Sequence, residues 1–339
     1  MVRLTILHEL PEGFLISPAA LLSQILPGPT LLHLAGRRPE PVFVSILLHG
    51  NEDVGLLAVQ KLLTHRHGRA LPRALSIFVG NLEAARASVR RLDQQPDYNR
   101  VWPGADDDGT PEHALMREVL AEMQTRRVFA SVDLHNNTGR NPFYACINRV
   151  ELPFLHLASL FSRTVAYFQR PRGVQSMAFA DVCPAVTCEC GKIGNPAGVD
   201  HAAEFIEGCL NLSEIPSHPI ASSDIHLFHT VATIKVPAGV TFSFSSPETD
   251  LTFPEELESL NFQELQPGAL LAHRRPGSPG RIEVHDEQNR DVSTLYLQND
   301  DREIRLRRPV IPSMLTTNEA VIRQDCLGYF MERYPLPCK

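Results

Sequence analysis

Two histidines and a glutamate follow apolar runs at positions where they could bind one metal ion. Val42–Leu48 is followed by His49 and, three residues later, by Glu52; a second apolar run, Val128–Leu134, is followed by His135. Two histidines and one carboxylate, with a fourth position left for water, are the usual ligands of a catalytic zinc ion. The alternative is coincidence, because the chain has 14 histidines and a lone His-x-x-Glu pair is common in exposed turns.

Two further carboxylates lie in expected strands, one in the run Val128–Leu134 and one in a third run, Ala185–Cys190. Asp133 lies two residues before His135, on the same face of an extended strand, and could orient the metal site. Glu189 interrupts the end of an apolar run, where a buried carboxylate is costly unless it is paired or functional. It is a candidate general base and acid, and the alternative is a solvent-facing strand end. Strand alternation puts Cys188 and Cys190 on the opposite face, as packing residues rather than metal ligands.

The polar stretch 81–104 is rich in arginine. Arginine suits bidentate recognition of a carboxylate and stabilisation of a developing oxyanion. Most arginines on a helix are solvated, however, and the residues of this stretch alone single out none of them.

Alternating strands and helices must position these side chains. The strands are expected at Pro41–Leu48, Ala74–Val79, Val128–Leu134, Phe143–Ile147 and Ala185–Cys190, and the helices at Glu52–Thr64, Pro111–Gln124, Leu152–Phe168 and Ala197–Leu212. This alternation predicts a three-layer α/β/α domain, in which a mixed, largely parallel sheet is covered on both faces. Ligands of such sheets bind at the carboxyl edge of the strands, where His49 and His135 are expected.

The pattern changes near Pro216–Ser223, after which short apolar runs alternate with proline, glycine, asparagine and aspartate. The expected strands are Thr230–Val236, Gly239–Phe244, Ala269–His273, Arg281–Val284 and Ile304–Leu306. We therefore predict a catalytic domain over residues 1–222 and a smaller β-rich C-terminal domain over residues 223–339, which would narrow the entrance of the pocket.

Composition excludes several classes of partner. The formal net charge of −7 argues against nucleic acid or an anionic membrane surface as the main partner. The apolar runs are too short to span a bilayer. The seven cysteines lack the spacing of a disulfide framework, and the N-terminus lacks a secretion signal, so we expect a cytoplasmic protein.

An ordered set of short motifs resembles the succinylglutamate desuccinylase/aspartoacylase family, a branch of the zinc carboxypeptidase superfamily. The motifs are His49-Gly-Asn-Glu52, Arg90-Arg-Leu-Asp93, Asp97-Tyr-Asn-Arg100, Asp133-Leu-His135-Asn-Asn-Thr138 and Glu189-Cys-Gly191. The resemblance implies one zinc ion per chain on His49, Glu52 and His135, with Glu189 as general base and acid. It also implies Arg90 as the group that polarises the carbonyl, and Asn99 with Arg100 as ligands of a substrate carboxylate.

The chain departs from the family pattern at three places, of which the change from an Asp-Leu-Asn-Arg type phrase to Asp97-Tyr98-Asn99-Arg100 is minor. Asn81-Leu82 stands where members often have Asn-Pro. Ile322, in the phrase Asn318-Glu-Ala-Val-Ile322, stands where aspartoacylases have a substrate-binding tyrosine. This departure predicts that N-acetylaspartate is a poor substrate. Arg140, Arg170 and Arg172 are additional candidates for binding substrate anions.

These observations predict a zinc-dependent deacylase that cleaves the amide bond of a small N-acyl amino acid with a free α-carboxylate. One alternative is a zinc carboxypeptidase that acts on a short peptide or an amino-acid conjugate. A second is a non-catalytic binding protein of the same fold. The identity of the acyl group and homo-oligomerisation stay open at this point.

Overall fold

The computed structural model of the protein describes residues 3–106 and 109–336. The α-helices of these residues are α1 (Val54–His65), α2 (Leu82–Ala87), α3 (Pro111–Gln124), α4 (Leu152–Phe161), α5 (Gln175–Phe179), α6 (Pro196–Asn211), α7 (Ser293–Tyr296) and α8 (Glu319–Gln324), and short 3-10 helices span Ala19–Gln24 and Leu257–Leu260. The first nine strands are β1 (Thr5–Leu7), β2 (Thr30–Leu34), β3 (Gly36–Ile46), β4 (Leu71–Val79), β5 (Ala130–Asn137), β6 (Tyr144–Ile147), β7 (Thr164–Tyr167), β8 (Ala185–Lys192) and β9 (His226–Lys235). The remaining strands are β10 (Phe242–Ser243), β11 (Leu251–Thr252), β12 (Leu270–Arg274), β13 (Glu283–Asp286), β14 (Leu297–Asn299), β15 (Glu303–Leu306), β16 (Ile311–Ser313) and β17 (Gly328–Arg333).

Twelve strands of the described residues form one mixed sheet in the order β1-β2-β4-β3-β5-β8-β6-β7-β9-β17-β16, with β13 paired to β9. The central strands β4, β3, β5 and β8 run parallel. The carboxyl ends of β3, β5 and β8 therefore lie at the same edge of the sheet, which is where polar side chains follow the apolar runs.

Helices cover both faces of this sheet. Residues Phe43 and Ile46 of β3 are three apart and so point to opposite faces. Phe179 of α5 stacks on Phe43, with ring centroids 4.4 Å apart, whereas Ile46 lies under Gly55 of α1. A Cβ atom at Gly55 would come within 2.7 Å of the Ile46 side chain, so α1 packs unusually close to the strand that leads to the site.

A second sheet of five strands, in the order β10-β11-β12-β15-β14, lies in the C-terminal third. Its apolar side chains share a core with Ala232 and Ile234 of β9 and with Phe330 of β17, which belong to the large sheet. The two sheets are therefore joined through one apolar cluster. The α/β fold with a smaller β-rich part is confirmed, and the division at residues 222 and 223 stays a prediction.

One predicted helix is shorter in the structure, and the strand that follows it was not predicted. The helix expected over Leu152–Phe168 ends at Phe161, and the following residues form β7. Ser162 is extended and its Oγ accepts from Thr164 N at 3.0 Å, so its side chain supports the change of direction. The predicted strand Phe143–Ile147 corresponds to β6, which pairs antiparallel with β8, in agreement with the mixed, largely parallel sheet that was predicted.

Among the described residues, no helix combines the length and the apolar character that a membrane span requires.

Candidate functional site

His49 and Glu52 lie in the turn between β3 and α1, and His135 lies in β5. All three side chains are buried, with 3–4% of their surface exposed. Gly50 fixes the turn, because a Cβ atom there would stand 2.1 Å from the backbone of Ala84 and Ala85. This close approach to α2 brings His49 and Glu52 beside the segment that carries the predicted arginine.

One side-chain nitrogen or oxygen of each of His49, Glu52 and His135 lies within 4.8 Å of the others, close enough to hold one metal ion. The two carboxylate oxygens of Glu52 face the two rings separately, at 2.9 Å from His49 Nδ1 and 2.7 Å from His135 Nδ1. The predicted ligand set is thus brought together in the fold.

The second nitrogen of each ring faces another carboxylate. His49 Nε2 lies 2.9 Å from Asp97 Oδ1, and His135 Nε2 lies 2.7 Å from Asp133 Oδ2. A metal-ligating histidine usually donates its other ring N–H to such a group, which leaves the first nitrogen free to bind the ion. Both Nδ1 atoms point toward Glu52, so the donor set fits a divalent cation with nitrogen and oxygen ligands.

The carboxylates of Asp97 and Asp133 are held in place by hydrogen bonds of their own. Asp133 is fully buried and accepts from Ser45 Oγ at 2.6 Å and from Asn99 Nδ2 at 3.2 Å. Asp97 Oδ2 accepts from Arg90 at 2.9 Å. Burial alone would raise the pKa of the Asp97 carboxyl, but the charges of His49 and Arg90 outweigh it and hold the pKa well below its usual range. Asp97 is therefore ionised and can fix His49.

Glu189 lies on β8, in register with His135 on one side and Tyr144 of β6 on the other. It is 8% exposed, and its Oε2 has no hydrogen-bond partner among the described residues. Burial raises the pKa of Glu189 to about 7; the nearby His135 opposes this shift and Glu52 adds to it. A carboxyl group with this pKa can both take up and release a proton near neutral pH.

Arg90 follows α2, and Asn81 is the N-cap residue of this helix. The side chain of Asn81 accepts from Ala84 N at 3.1 Å, so the cap does not need the proline that the family often has next. Arg90 is 11% exposed, and its NH2 group donates to Asp97 while its NH1 lies 3.6 Å from Glu52 Oε1. Arg91 instead donates to the backbone oxygen of Gln95. Of these two arginines, it is Arg90 that contacts the predicted metal ligands.

Asn99 and Arg100 both reach the cavity, but existing contacts already occupy them. Asn99 Nδ2 donates to Asp133, and its Oδ1 accepts from Gln175 N at 2.9 Å. The NH2 group of Arg100 donates to both carboxylate oxygens of Asp325, at 3.0 and 3.3 Å. Asp325 had no sequence signal, since it follows a short helix near the end of the chain rather than an apolar strand.

One cavity collects these groups. His49, Glu52, His135, Glu189, Arg90 and Arg100 line its polar side. Its apolar side is formed by Cys146, Ala166, Phe168, Val174, Met314 and Val321. The arrangement can therefore hold a cation beside a proton-carrying carboxyl and accept a small, partly apolar ligand.

The other sequence candidates lie in different places. Arg170 lines the cavity, and its Nε donates to the backbone oxygen of Glu287 at 2.7 Å. Arg140 and Arg172 are exposed and do not line the cavity. Ile322 is 3% exposed and packs in the apolar core of the C-terminal third, while its neighbour Val321 faces the cavity. The substrate argument drawn from Ile322 thus loses its basis, because this side chain does not face the ligand space.

Residues 41–215 match the family model described as the succinylglutamate desuccinylase/aspartoacylase catalytic domain. The chain belongs to this family. The match includes the five motifs on which the resemblance was based, and the family prediction is confirmed.

Several solved structures share the fold of this chain. The succinylglutamate desuccinylase of Chromobacterium violaceum is 19% identical, with 89% of this chain and 87% of that chain covered and a TM-score of 0.55. The succinylglutamate desuccinylase/aspartoacylase of Rhodobacter sphaeroides is 15% identical, with 89% and 88% covered and a TM-score of 0.59. Murine aminoacylase 3 is 13% identical, with 88% and 97% covered and a TM-score of 0.54. No curated protein sequence matches the chain significantly.

Proposed function

We propose that the protein is a zinc-dependent amidohydrolase that removes the acyl group from a small N-acyl amino acid. The observation that carries this proposal is the pairing of a two-histidine, one-carboxylate cluster with Glu189 in a single cavity. Membership of a family of deacylases supports it.

His49, Glu52 and His135 would hold the metal ion through His49 Nδ1, His135 Nδ1 and the Glu52 carboxylate. When bound, zinc acts as a Lewis acid that polarises a carbonyl group and lowers the pKa of water. The carboxylates of Asp97 and Asp133 keep both imidazoles turned toward Glu52, so the ligands are oriented before an ion arrives.

Glu189 would carry the proton. Its carboxylate accepts a proton from the water that attacks the scissile carbonyl carbon, and the resulting carboxylic acid then donates that proton to the departing nitrogen. Its Oε2, which has no hydrogen-bond partner in the described parts of the chain, and its pKa of about 7 suit both steps.

Arg90 would stabilise the negative charge that develops on the carbonyl oxygen. Its guanidinium lies beside Glu52 and is held by Asp97, so no reorientation is needed as the charge develops. Asn99 and Arg100 lie on the same side of the site, and we assign them to the amine end of the substrate.

Metal analysis together with a substrate panel tests this proposal. Purified protein is expected to carry about one zinc per chain, and the variants His49→Ala and His135→Ala should lose it. The exposed His67 offers a matched control, since His67→Ala should keep the metal. The same ion retained in both cavity variants would contradict the assignment of the ligands.

The panel compares N-acyl amino acids, with acyl groups from acetyl to succinyl and longer, by the release of free amine. Turnover that is lost with the metal and restored by zinc is the expected result. Short peptides in the same panel test the carboxypeptidase alternative, and release of their C-terminal residue in preference to acyl groups would favour it. Tight binding without any release of amine would favour the non-catalytic alternative.

A further inference from the structure

Asp325 reaches the cavity from the C-terminal part of the chain. It directly follows α8 and precedes β17, and 225 residues separate it from Arg100. Tyr329 of β17 lines the cavity beside it. The match to the catalytic-domain model, over residues 41–215, ends before this segment.

The carboxylate of Asp325 is shared by two arginines. Arg100 NH2 donates to both of its oxygens, and Arg90 NH2 lies 3.4 Å from Oδ2. Asp97 binds the same nitrogen of Arg90 at 2.9 Å. Two guanidinium groups and two carboxylates thus form a charge-balanced cluster at the side of the cavity that we assign to the amine end of the substrate.

A free carboxylate on the substrate would meet this cluster unfavourably. To reach Arg100 it must either displace Asp325 or lie next to it, and two carboxylates at one guanidinium repel each other. By either route, a free acid binds more weakly than it would at an arginine that has no carboxylate partner within the protein.

A carboxamide meets the same cluster favourably. Its carbonyl oxygen can accept from Arg100, and its N–H can donate to Asp325, so one planar group satisfies both members of the ion pair. Arg100 and Asp325 each keep 26% of their side chains exposed, so these atoms are open to a ligand in the cavity.

We propose that Asp325 determines specificity at the amine end of the substrate, by favouring an N-acyl amino acid whose carboxyl group is in an amide over the free acid. This inference rests on the proposed deacylase function. It adds a substrate class, namely N-acyl amino acid amides, including the acylated first residue of a peptide.

The test compares N-acetyl-leucine with N-acetyl-leucinamide, because part of the cavity wall is apolar. In the wild type, kcat/KM should be at least ten-fold higher for the amide. Asp325→Asn and Asp325→Ala should lower this ratio at least ten-fold, mainly through a lower KM for the free acid. The ratio is measured within one preparation, so a partly unfolded variant does not alter it. Asp301→Asn, at an exposed aspartate, is the matched control and should keep the wild-type ratio.

A wild-type enzyme that prefers the free acid, or a ratio that Asp325→Asn and Asp325→Ala leave unchanged, would overturn the proposal. Calorimetric binding of leucine and leucinamide, the deacylated products, separates this failure from failure of the proposed function. Absence of turnover together with a binding preference for leucinamide that the Asp325 variants abolish would reject the deacylase and keep the role of Asp325. Equal binding of both products in all variants would reject the role of Asp325.

Discussion

Glu52 and Glu189 lie in one cavity, and their surroundings are opposite. Glu52 is bound on both oxygens by histidines and also accepts from Asn136 N at 3.3 Å, and these partners lower its pKa despite its burial. Glu189 keeps one oxygen without a partner among the described residues, and burial raises its pKa. These surroundings support the two roles proposed for residues of the same type, in which Glu52 stays charged as a metal ligand and Glu189 exchanges a proton.

The largest effect is expected from a substitution of Glu189, which should impair proton transfer but not metal binding. Glu189→Gln should lower kcat by about a thousand-fold, because an amide cannot carry the proton, and it should keep the metal. Metal content and turnover are measured on the same sample, with Glu204→Gln, at an exposed glutamate of α6, as control. Turnover near that of the wild type would show that another group is the base.

Arg90→Ala should lower kcat by about a hundred-fold, with a smaller change in KM, because its interaction with the oxyanion is strongest in the transition state. Arg91→Ala is the matched control, since Arg91 contacts only the backbone of Gln95 in the described hydrogen bonds. Equal losses in the two variants would remove Arg90 from its assigned role.

Asp133→Asn tests whether metal binding by His135 depends on the carboxylate that holds its ring. We expect metal affinity to fall by about ten- to a hundred-fold, because His135 loses the carboxylate that fixes its ring. Competition with a chelator of known affinity measures the change. Ser45→Ala removes a donor to the same carboxylate and should have a smaller effect.

The smallest effect concerns stability. In the metal-free protein, ionising Glu189 costs on the order of 3 kcal/mol above pH 7 and nothing below about pH 4.5, because its folded pKa is raised. Glu189→Gln avoids this cost, so its free energy of unfolding should increase relative to the wild type as the pH rises from 5 to 8. Adding metal should shrink the difference, since a nearby cation favours the charged form. A difference that does not depend on pH would show that Glu189 is already ionised at pH 5.

Much of the site followed from sequence because its residues come directly after apolar strands. His49, His135 and Glu189 are each polar side chains at the end of such a run, and the parallel sheet brings them to one edge. The ends of helices and strands were harder to predict from the sequence. The strand after Phe161 was missed because Thr164–Tyr167 continues the apolar spacing of the helix before it.

The parts that could not be predicted depend on tertiary contacts. Asp325 gives no signal in its local sequence, and only the pairing of β17 with β9 brings it to the arginines. The orientation of Ile322 into the core depends on how α8 packs, which the sequence phrase does not encode. Ser45 could have been suspected, since it is a polar residue inside a buried apolar strand.

The position of β17 between β9 and β16 has a consequence for the order of folding. The cavity gains Asp325 and Tyr329 only after the last strand has paired with a strand that lies about a hundred residues earlier. Contacts of such long sequence separation form slowly, because the intervening loop must first lose its freedom. The histidine cluster, which spans residues 49–135, can therefore assemble before the amine end of the cavity is complete. During refolding, metal uptake should precede the appearance of substrate selectivity.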